Sequence, residues 1–300
     1  IKGYFKDEAQ SFLTVPEWYL VFNPKEYADF LQAGNNPSDF PFYRSIDEYW
    51  TLYDRSIKLV SEAYPHNEEY TTMLDVIGVS ITMEYTAKML YENSIGRAFS
   101  WFSNGTPSDQ ELVIIQAQRA YSDFIYDKAW YEFEFMPWVK KVWTTQNTKD
   151  SNWLRKVERV LFFTCEFTFK AVYALAIEWA AKTSYDEPVT DIFLMASSTD
   201  SSQVSDLAVI HQQDSLHIIS IPRWGTFTKE IKRLAGRNLN ITEIAGNDEI
   251  VISTLAPTGT VSLERARLLY RSRVVTSSDQ ERHVYLVHVG ELLEVIRQSE

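Results

Sequence analysis

Hydrophobic residues in the first 186 positions recur every three or four residues, which is the spacing of one face of a helix. Ser45 and Glu48 form a capping-box pattern that predicts a helix over 45–63. The following run, 68–91, is apolar nearly all round at its centre, which predicts a helix inside the domain. Further helices are predicted over 24–31, 106–126, 129–145 and 151–182. The last of these is also dense in apolar residues and is expected to be central.

The pattern changes near Tyr185-Asp-Glu-Pro188, where short β-branched runs begin to alternate with turns. Strands are predicted over 190–196, 207–211, 216–221, 239–244, 249–255, 269–276 and 282–289. Three hairpins are expected, and the middle one turns across Gly246-Asn-Asp248 between 239–244 and 249–255. Helices are predicted over 226–235 and 291–297, with a helical turn over 262–267.

This order of elements predicts an α+β fold class with two domains. An all-α, aromatic-rich helical domain occupies 1–186 and includes an irregular segment over 1–44. A smaller α+β domain of β-hairpins with one or two helices occupies 187–300.

Charge and glycine content exclude several functional classes. The chain has 29 Lys and Arg against 41 Asp and Glu, a formal net charge of −12 without a basic tail, so no nucleic-acid partner is expected. Only 10 glycines are present, and none form the GxGxxG or GxxxxGK[ST] patterns that hold dinucleotides or nucleotide phosphates. The sequence predicts no cofactor.

Cysteine and histidine usage gives no metal or redox site. Cys165 is the only cysteine, which excludes an intrachain disulfide and a CxxC pair, and its apolar neighbours predict a buried structural thiol. No Glu-x-x-His or HExxH pattern occurs, so no metal site is predicted. Four of the five histidines fall on predicted strands: His211, His217, His283 and His288.

Glu84 and Glu166 are the most informative single residues, because each lies mid-helix in apolar surroundings where an unpaired carboxylate is costly. Charged residues lie one or two turns away on the same two helices: Glu92, Arg97, Glu158, Arg159 and Lys170. Ion pairs that fix the register of the two helices are the first interpretation. In the alternative, the helical interior binds a ligand through Glu84, Glu166, Arg97, Arg159 and Lys170.

Aromatic residues make up 14% of the chain, and six of them fall between positions 130 and 143. They are Trp130, Tyr131, Phe133, Phe135, Trp138 and Trp143. With Lys140 and Lys141 they predict either a helix end buried under a neighbouring helix or a contact site for a protein partner or a membrane.

Two long apolar stretches, 73–90 and 160–181, are interrupted by charged residues, so neither predicts a lipid-exposed span. Because the chain begins at Ile1 rather than Met, we expect a removed N-terminal segment that anchors the protein to a membrane or exports it. A cytoplasmic location is the alternative.

These observations favour a non-catalytic interaction or scaffold subunit of a larger, membrane-associated assembly with a protein partner. The second hypothesis is a protein that binds a lipid or apolar small molecule between the long helices, with Glu84 or Glu166 orienting it. The third is an enzyme that uses the buried carboxylates as acid and base. The sequence does not set the oligomeric state.

Overall fold

The computed structural model describes residues 10–63, 66, 68–101, 107–146, 148, 152–184, 191–198 and 200–299. Its helices are α1 (Gln10–Glu17), α2 (Tyr19–Gln32), α3 (Phe42–Ala63), α4 (Glu68–Tyr91), α5 (Arg97–Ser100), α6 (Asp109–Phe124), α7 (Phe135–Thr144), α8 (Trp153–Ser184), α9 (Gly225–Ala235) and α10 (Leu292–Ser299). Its strands are β1 (Asp191–Ser197), β2 (Ala208–Gln213), β3 (Leu216–Pro222), β4 (Asn240–Ile244), β5 (Glu249–Pro257), β6 (Ala266–Arg273) and β7 (Gln280–His288). The predicted α+β fold class is confirmed.

The N-terminal series of helices, α1 to α8, ends at Ser184, and the first strand begins at Asp191. The predicted transition at Tyr185–Pro188 and the predicted helix start at Thr106 lie outside the described residues. Contacts divide the chain into two compact units that are discontinuous in sequence. The helical unit comprises 19–47 and 79–188, and the β unit comprises 1–18, 48–78 and 189–300. The predicted domain division at residue 186 stays a prediction.

In the helical unit, α2 packs on α6, and both α6 and α7 pack on α8. Helix α6 begins with a capping box, in which the Glu111 amide donates to Ser108 Oγ at 3.1 Å and the Ser108 amide donates to Glu111 Oε2 at 2.8 Å. Rings fill the centre of the unit, with Phe135 on Phe167 and Phe163 on Phe167 at centroid distances of 5.4 and 4.1 Å. Buried aromatic side chains therefore hold α7 against α8.

Two predicted helix starts are wrong for the same reason. The helix expected over 24–31 extends over Tyr19–Gln32, with Pro24 inside it. Helix α3 begins at Phe42, so Ser45 lies within the helix and is not its cap. Phe42 is buried against Tyr27 at a ring distance of 5.6 Å, and this packing fixes the first turn of α3 without a side-chain cap.

The aromatic helix predicted over 129–145 is broken. A 3-10 turn at Trp130–Glu132 precedes α7, and Phe133 between them is extended. The extended backbone turns the Phe133 ring onto Tyr121 and Phe124 of α6, at 5.2 and 5.4 Å. Aromatic packing again overrides the local helical pattern.

The β unit holds two antiparallel sheets, with strand orders β2-β3-β1-β4 and β5-β7-β6. The predicted hairpins β2–β3 and β6–β7 are confirmed by their pairing registers. The predicted β4–β5 hairpin is wrong, because β4 pairs with β1 and β5 pairs with β7. Ala245 and Gly246 both adopt positive φ, and the Ala245 amide donates to the Phe193 carbonyl at 2.8 Å, which ties the turn to β1. The helical turn expected over 262–267 is also wrong, since β6 begins at Ala266.

Helices α9 and α10 cover a contiguous core in the β unit. Their buried residues include Ile231, Leu234, Leu292 and Val295, which join the inward side chains of the strands. Both helices were predicted. Their apolar residues recur every three or four positions, as in a helix with one buried face.

Candidate functional site

Helices α4 and α8 run antiparallel in the helical unit and meet through polar side chains. Ser80 Oγ lies 2.9 Å from the hydroxyl of Tyr173, and Lys170 Nζ lies 2.9 Å from Glu84 Oε1. Further along, each contact joins a later residue of α4 or its extension to an earlier residue of α8. The pairs are Lys88 with Glu166, Glu92 with Arg159, and Gly96 with Arg155. We call this series of contacts the polar ladder.

The first part of the polar ladder is a cluster of two carboxylates and two ammonium groups. Lys88 Nζ lies 2.8 Å from Glu84 Oε1 and 2.9 Å from Glu166 Oε1. Lys170 Nζ lies 2.9 and 3.4 Å from the same two oxygens. Gln118 of α6 donates to Glu166 at 3.2 Å. The four formal charges cancel, so the cluster is neutral.

The lysines keep both carboxyl groups ionised. Burial alone would raise the pKa of Glu84, but Lys170 and Lys88 outweigh it and lower that pKa to about 2. The same two lysines lower the pKa of Glu166 against the effect of burial. Burial would lower the pKa of Lys88, but Glu166 and Glu84 raise it well above its usual value. A carboxyl group held in this way is a poor proton donor near neutral pH.

The second part of the polar ladder centres on Arg159. Its guanidinium forms a bidentate pair with Glu92, with both N–O distances 2.8 Å, and a second pair with Glu158 at 2.7 Å. Arg155 donates to Glu158 at 2.8 Å and to the Gly96 carbonyl at 2.9 Å. The Tyr91 hydroxyl also donates to Glu158. Charge-assisted bidentate pairs of this kind are the strong class of hydrogen bond.

A π-helical segment, Glu92–Gly96, brings Glu92 into this network. Glu92 is completely buried, and a Cβ atom on Gly96 would lie 2.3 Å from Glu92 Oε2. Glycine at position 96 therefore leaves the space that the Glu92 carboxylate occupies. π-helical turns are rare and often lie at functional sites. Here the turn forms part of the polar ladder.

The outward sides of α4 and α8 are apolar and exposed, which contradicts the prediction that both helices are central. Phe169 is 66% exposed and Leu175 is 67% exposed. Cys165 is also exposed, so the predicted buried thiol is wrong. Between Trp153 and Trp179 ten residues are exposed and none is charged: Trp153, Val157, Leu161, Cys165, Thr168, Phe169, Val172, Leu175, Ala176 and Trp179. The charges of α8 that join the polar ladder point inward together with buried aromatic rings, and the exposed side of the helix is uncharged and largely apolar.

The exposed residues of α4 lie on the same side as those of α8. On each helix the ladder residues stand between a buried aromatic face and an exposed face. Because the helices are antiparallel, their side chains advance in opposite rotational senses, so the two exposed faces lie side by side. We call the joint surface the apolar face; its members are Val79, Met83, Leu90, Ile95, Trp101, Trp153, Val157, Leu161, Phe169, Val172, Leu175 and Trp179.

The aromatic stretch between 130 and 143 contributes mostly to the core. Phe135 is buried, and four of its neighbours pack partly buried against the same cluster: Trp130, Tyr131, Phe133 and Trp138. Trp143 is 57% exposed, and its indole nitrogen donates to Thr164 Oγ1 of α8 at 3.0 Å. Trp143 is thus the member of the stretch with the most surface for a partner. The prediction of a partner or membrane contact by this stretch stays a prediction.

The structure joins four of the five predicted ligand-binding residues into the ladder. Glu84, Glu166, Arg159 and Lys170 all take part, as the interpretation by ion pairs requires. Arg97 is separate, exposed on the surface and 3.4 Å from Asp39. Arg97 lines an open depression of about 410 Å³ together with Asn93, Ser94, Ala98 and Trp101. All of its lining residues belong to one stretch of chain, so the depression has no opposing wall.

Sequence reasoning missed Lys88, Arg155 and Tyr91. Lys88 follows Glu84 by four residues in the same apolar helix, a spacing that places the two side chains together. That signal was available in the sequence. The roles of Arg155 and Tyr91 depend on the π-helical turn, which no local pattern announces.

The β unit contains one further polar row, on β7. His283 is completely buried, with Nδ1 3.0 Å from the Tyr285 hydroxyl and Nε2 3.3 Å from Glu281 Oε2. Residues two apart on a strand point to the same side, so these three side chains share one face of β7. Because the imidazole has no exposed surface, a substrate cannot reach it, and the row stabilises the sheet.

Two further properties of the described residues bear on the site. No group of three or more His, Cys, Asp or Glu side chains is placed to hold a metal ion within that part of the chain. One helical segment there, Trp153–Trp179, is long and apolar enough to cross a membrane by length and composition, with a mean hydropathy of 1.6. That segment carries most of the apolar face.

Comparison with protein-family models gave no match, and comparisons with curated proteins and with solved structures gave none either. The function is therefore argued from the geometry of the polar ladder and the apolar face.

Proposed function

We propose that this protein is a non-catalytic interaction subunit that docks through the apolar face of its helical unit. The observation that carries the proposal is the reversed arrangement of α8, whose seven-turn exposed side has no charge between Trp153 and Trp179. Contiguous exposed apolar surface of this kind marks binding sites on soluble proteins, because single hydrophobic side chains scatter but large patches are covered.

The polar ladder supports the proposal by holding the face in one shape. Ion pairs fix which residues of α4 oppose which residues of α8, and buried ionic groups are best attested in this role of setting register. The face is then a rigid surface. A preorganised surface loses less conformational entropy on docking than a mobile one.

The two other hypotheses have less support. Between the long helices, the space around Glu84 and Glu166 is occupied by Lys88 and Lys170, so an interior ligand lacks both room and an unpaired carboxylate. An enzyme using these groups needs one protonated carboxyl and an open cleft. Both carboxyl groups have lowered pKa values, which opposes a role as general acid.

Outward substitutions on α8 test the proposal. In the triple variant L161Q/F169Q/L175Q, three exposed apolar side chains become polar while the helix propensity stays favourable. We expect wild-type protein to form assemblies or to require detergent, and the triple variant to be a monodisperse 34.9 kDa monomer with unchanged circular dichroism. Sedimentation velocity measures whether the wild-type protein assembles and whether the triple variant is a monomer.

A matched control removes the same number of exposed apolar side chains elsewhere. Ile210, Leu255 and Val261 are exposed in the β unit, so I210Q/L255Q/V261Q should behave like wild type. The proposal fails if the wild-type chain is a monodisperse monomer without detergent and also binds no phospholipid vesicle. It also fails if both triple variants change the assembly equally.

A further inference from the structure

We infer that the apolar face lies in the interfacial layer of one leaflet of a phospholipid bilayer, with lipid acyl chains as its occupant. This inference rests on the proposed docking function and names what the face docks to. Three features of the helical unit lead to a lipid rather than to a protein.

The first feature is where the tryptophans stand. Trp101 and Trp153 lie at one end of the apolar face and Trp179 at the other, and they are 87%, 65% and 71% exposed. The exposed side chains of α8 between Trp153 and Trp179 are uncharged and most of them are aliphatic. Protein interfaces concentrate Trp, Tyr and Arg near their centres, whereas tryptophan collects at the boundary between hydrocarbon and headgroups in membranes.

The second feature is the length and continuity of the face. Trp153 and Trp179 are 26 residues apart, which is about 39 Å at the rise of an α-helix. No exposed residue of α8 over that distance is charged. A protein interface has a polar rim and about one hydrogen bond per 100–200 Å². Acyl chains make no hydrogen bonds, so an uncharged strip suits them.

The third feature is the polarity of the other helices of the unit, which sets the orientation. On α2 and α6 the exposed side chains are polar: Lys25, Gln32, Gln116 and Asp123. A bilayer-spanning placement would put these residues against hydrocarbon, which is costly. Placement with α8 parallel to the membrane plane buries only the apolar face, to a depth of about 5–10 Å.

The charge distribution adds that apolar burial, and not attraction to anionic headgroups, drives the binding. The chain carries a net charge of −12, so anionic lipid repels it as a whole. Arg97, an exposed cation at one end of the face, is paired with Asp39 at 3.4 Å, so it adds little attraction for an anionic headgroup. Binding to a zwitterionic lipid should therefore be at least as strong as binding to an anionic one.

Flotation with phosphatidylcholine vesicles tests the inference on the 300-residue chain. We expect wild-type protein and I210Q/L255Q/V261Q to float with the vesicles at low and at high salt. We expect L161Q/F169Q/L175Q to stay in the dense fraction, with a partition coefficient at least about a hundred-fold lower. Circular dichroism of each variant confirms that it is folded.

Cys165 gives a second readout that does not depend on substitution. It is the only cysteine and lies in the middle of the apolar face, so an environment-sensitive fluorophore can be attached there alone. On vesicle binding we expect a blue shift and stronger quenching by nitroxides at shallow acyl positions than by nitroxides at the bilayer centre. Quenching strongest at the centre would indicate a spanning helix and would overturn the in-plane placement.

The two proposals fail in different ways. If wild-type protein ignores vesicles but assembles in their absence, and only L161Q/F169Q/L175Q abolishes that assembly, the docking function stands and the lipid inference is wrong. If binding requires anionic lipid and disappears at high salt, apolar burial is not its cause and the inference is also wrong. If wild-type protein neither floats nor assembles, both proposals are wrong.

Discussion

Helix α9 in the β unit buries Ile231, Leu234 and Ala235 and turns Lys229, Lys232 and Arg233 outward. Helix α8 in the helical unit has the opposite arrangement. It buries Arg155, Arg159 and Lys170 together with aromatic rings, and it exposes Leu161, Phe169 and Leu175. The helical pattern alone therefore does not show which side of a helix is exposed to water. Buried charges are tolerated wherever a neighbouring helix supplies their partners.

The same difference separates the ion pairs of the two helices. Arg233 pairs with Asp206 and Glu230 on the surface, where water screens the interaction. Arg159 pairs with Glu92 and Glu158 away from water.

The largest effect is expected from removing the buried guanidinium. R159M leaves the carboxylates of Glu92 and Glu158 buried without their main partner, and should lower the free energy of unfolding by about 3–5 kcal/mol. On α9, R233M removes an exposed partner and should cost less than about 1 kcal/mol. Urea denaturation followed by circular dichroism measures both. Similar losses for the two variants would mean that Arg159 is not held away from water.

Two phenylalanines only two residues apart on α8 test its orientation. Phe167 has no exposed surface, so F167A should cost about 3–5 kcal/mol through lost packing and the cavity it leaves. Phe169 is exposed, so F169A should change the free energy of unfolding by no more than about 0.5 kcal/mol. The measurement is again urea denaturation. The reverse order would show that α8 is rotated relative to the arrangement described.

Two glycines give a smaller contrast. A methyl group in G96A collides with the Glu92 carboxylate, and we expect a loss of about 1–3 kcal/mol. Gly236, after α9, has an ordinary helical φ and space for a methyl group, so G236A should be neutral or stabilising by up to about 1 kcal/mol. Thermal unfolding distinguishes the two outcomes. A neutral G96A would mean that Glu92 does not occupy the space described.

The smallest effect is a pH dependence. Because the folded state lowers the pKa values of Glu84 and Glu166, their contribution is complete above the unfolded-state pKa of about 4.5 and is lost as pH falls toward about 2. The free energy of unfolding should therefore fall between pH 5 and pH 2, and less steeply in E84Q/E166Q. Denaturation curves at several pH values give both slopes. Equal slopes would mean that these two carboxylates do not contribute to the loss of stability in acid.

Much of the secondary structure follows from local pattern. The apolar spacing of α4 and α8 and the alternation in β2, β3, β6 and β7 act over short stretches of chain, and these elements begin and end within three residues of the predicted positions. The β4–β5 hairpin was predicted wrongly because the partners of a strand depend on the whole sheet. A short turn containing Gly246 is compatible with a hairpin, yet β4 pairs with β1.

The site was only partly predictable. Glu84 and Glu166 stand out because a carboxylate in an apolar helix needs a partner, and the expected network exists. The apolar face was missed because a helix that is apolar nearly all round gives no period from which to choose its buried side. Arg97 was assigned to the network by spacing along α4. Arg97 follows the π-helical segment and lies on the surface beside Asp39.

Helix α8 turns the charges of the polar ladder toward the core and exposes an uncharged, largely apolar side. The rate at which a water-soluble maleimide modifies Cys165 tests this arrangement most directly, with A174C and A176C in a C165S background as controls, because Ala174 is buried and Ala176 is exposed. In the folded monomer, at a concentration too low for assembly and without lipid, we predict that Cys165 and A176C react within about tenfold of their rates in urea, while A174C is protected by several powers of ten. Protection of Cys165 together with rapid modification of A174C would contradict the account.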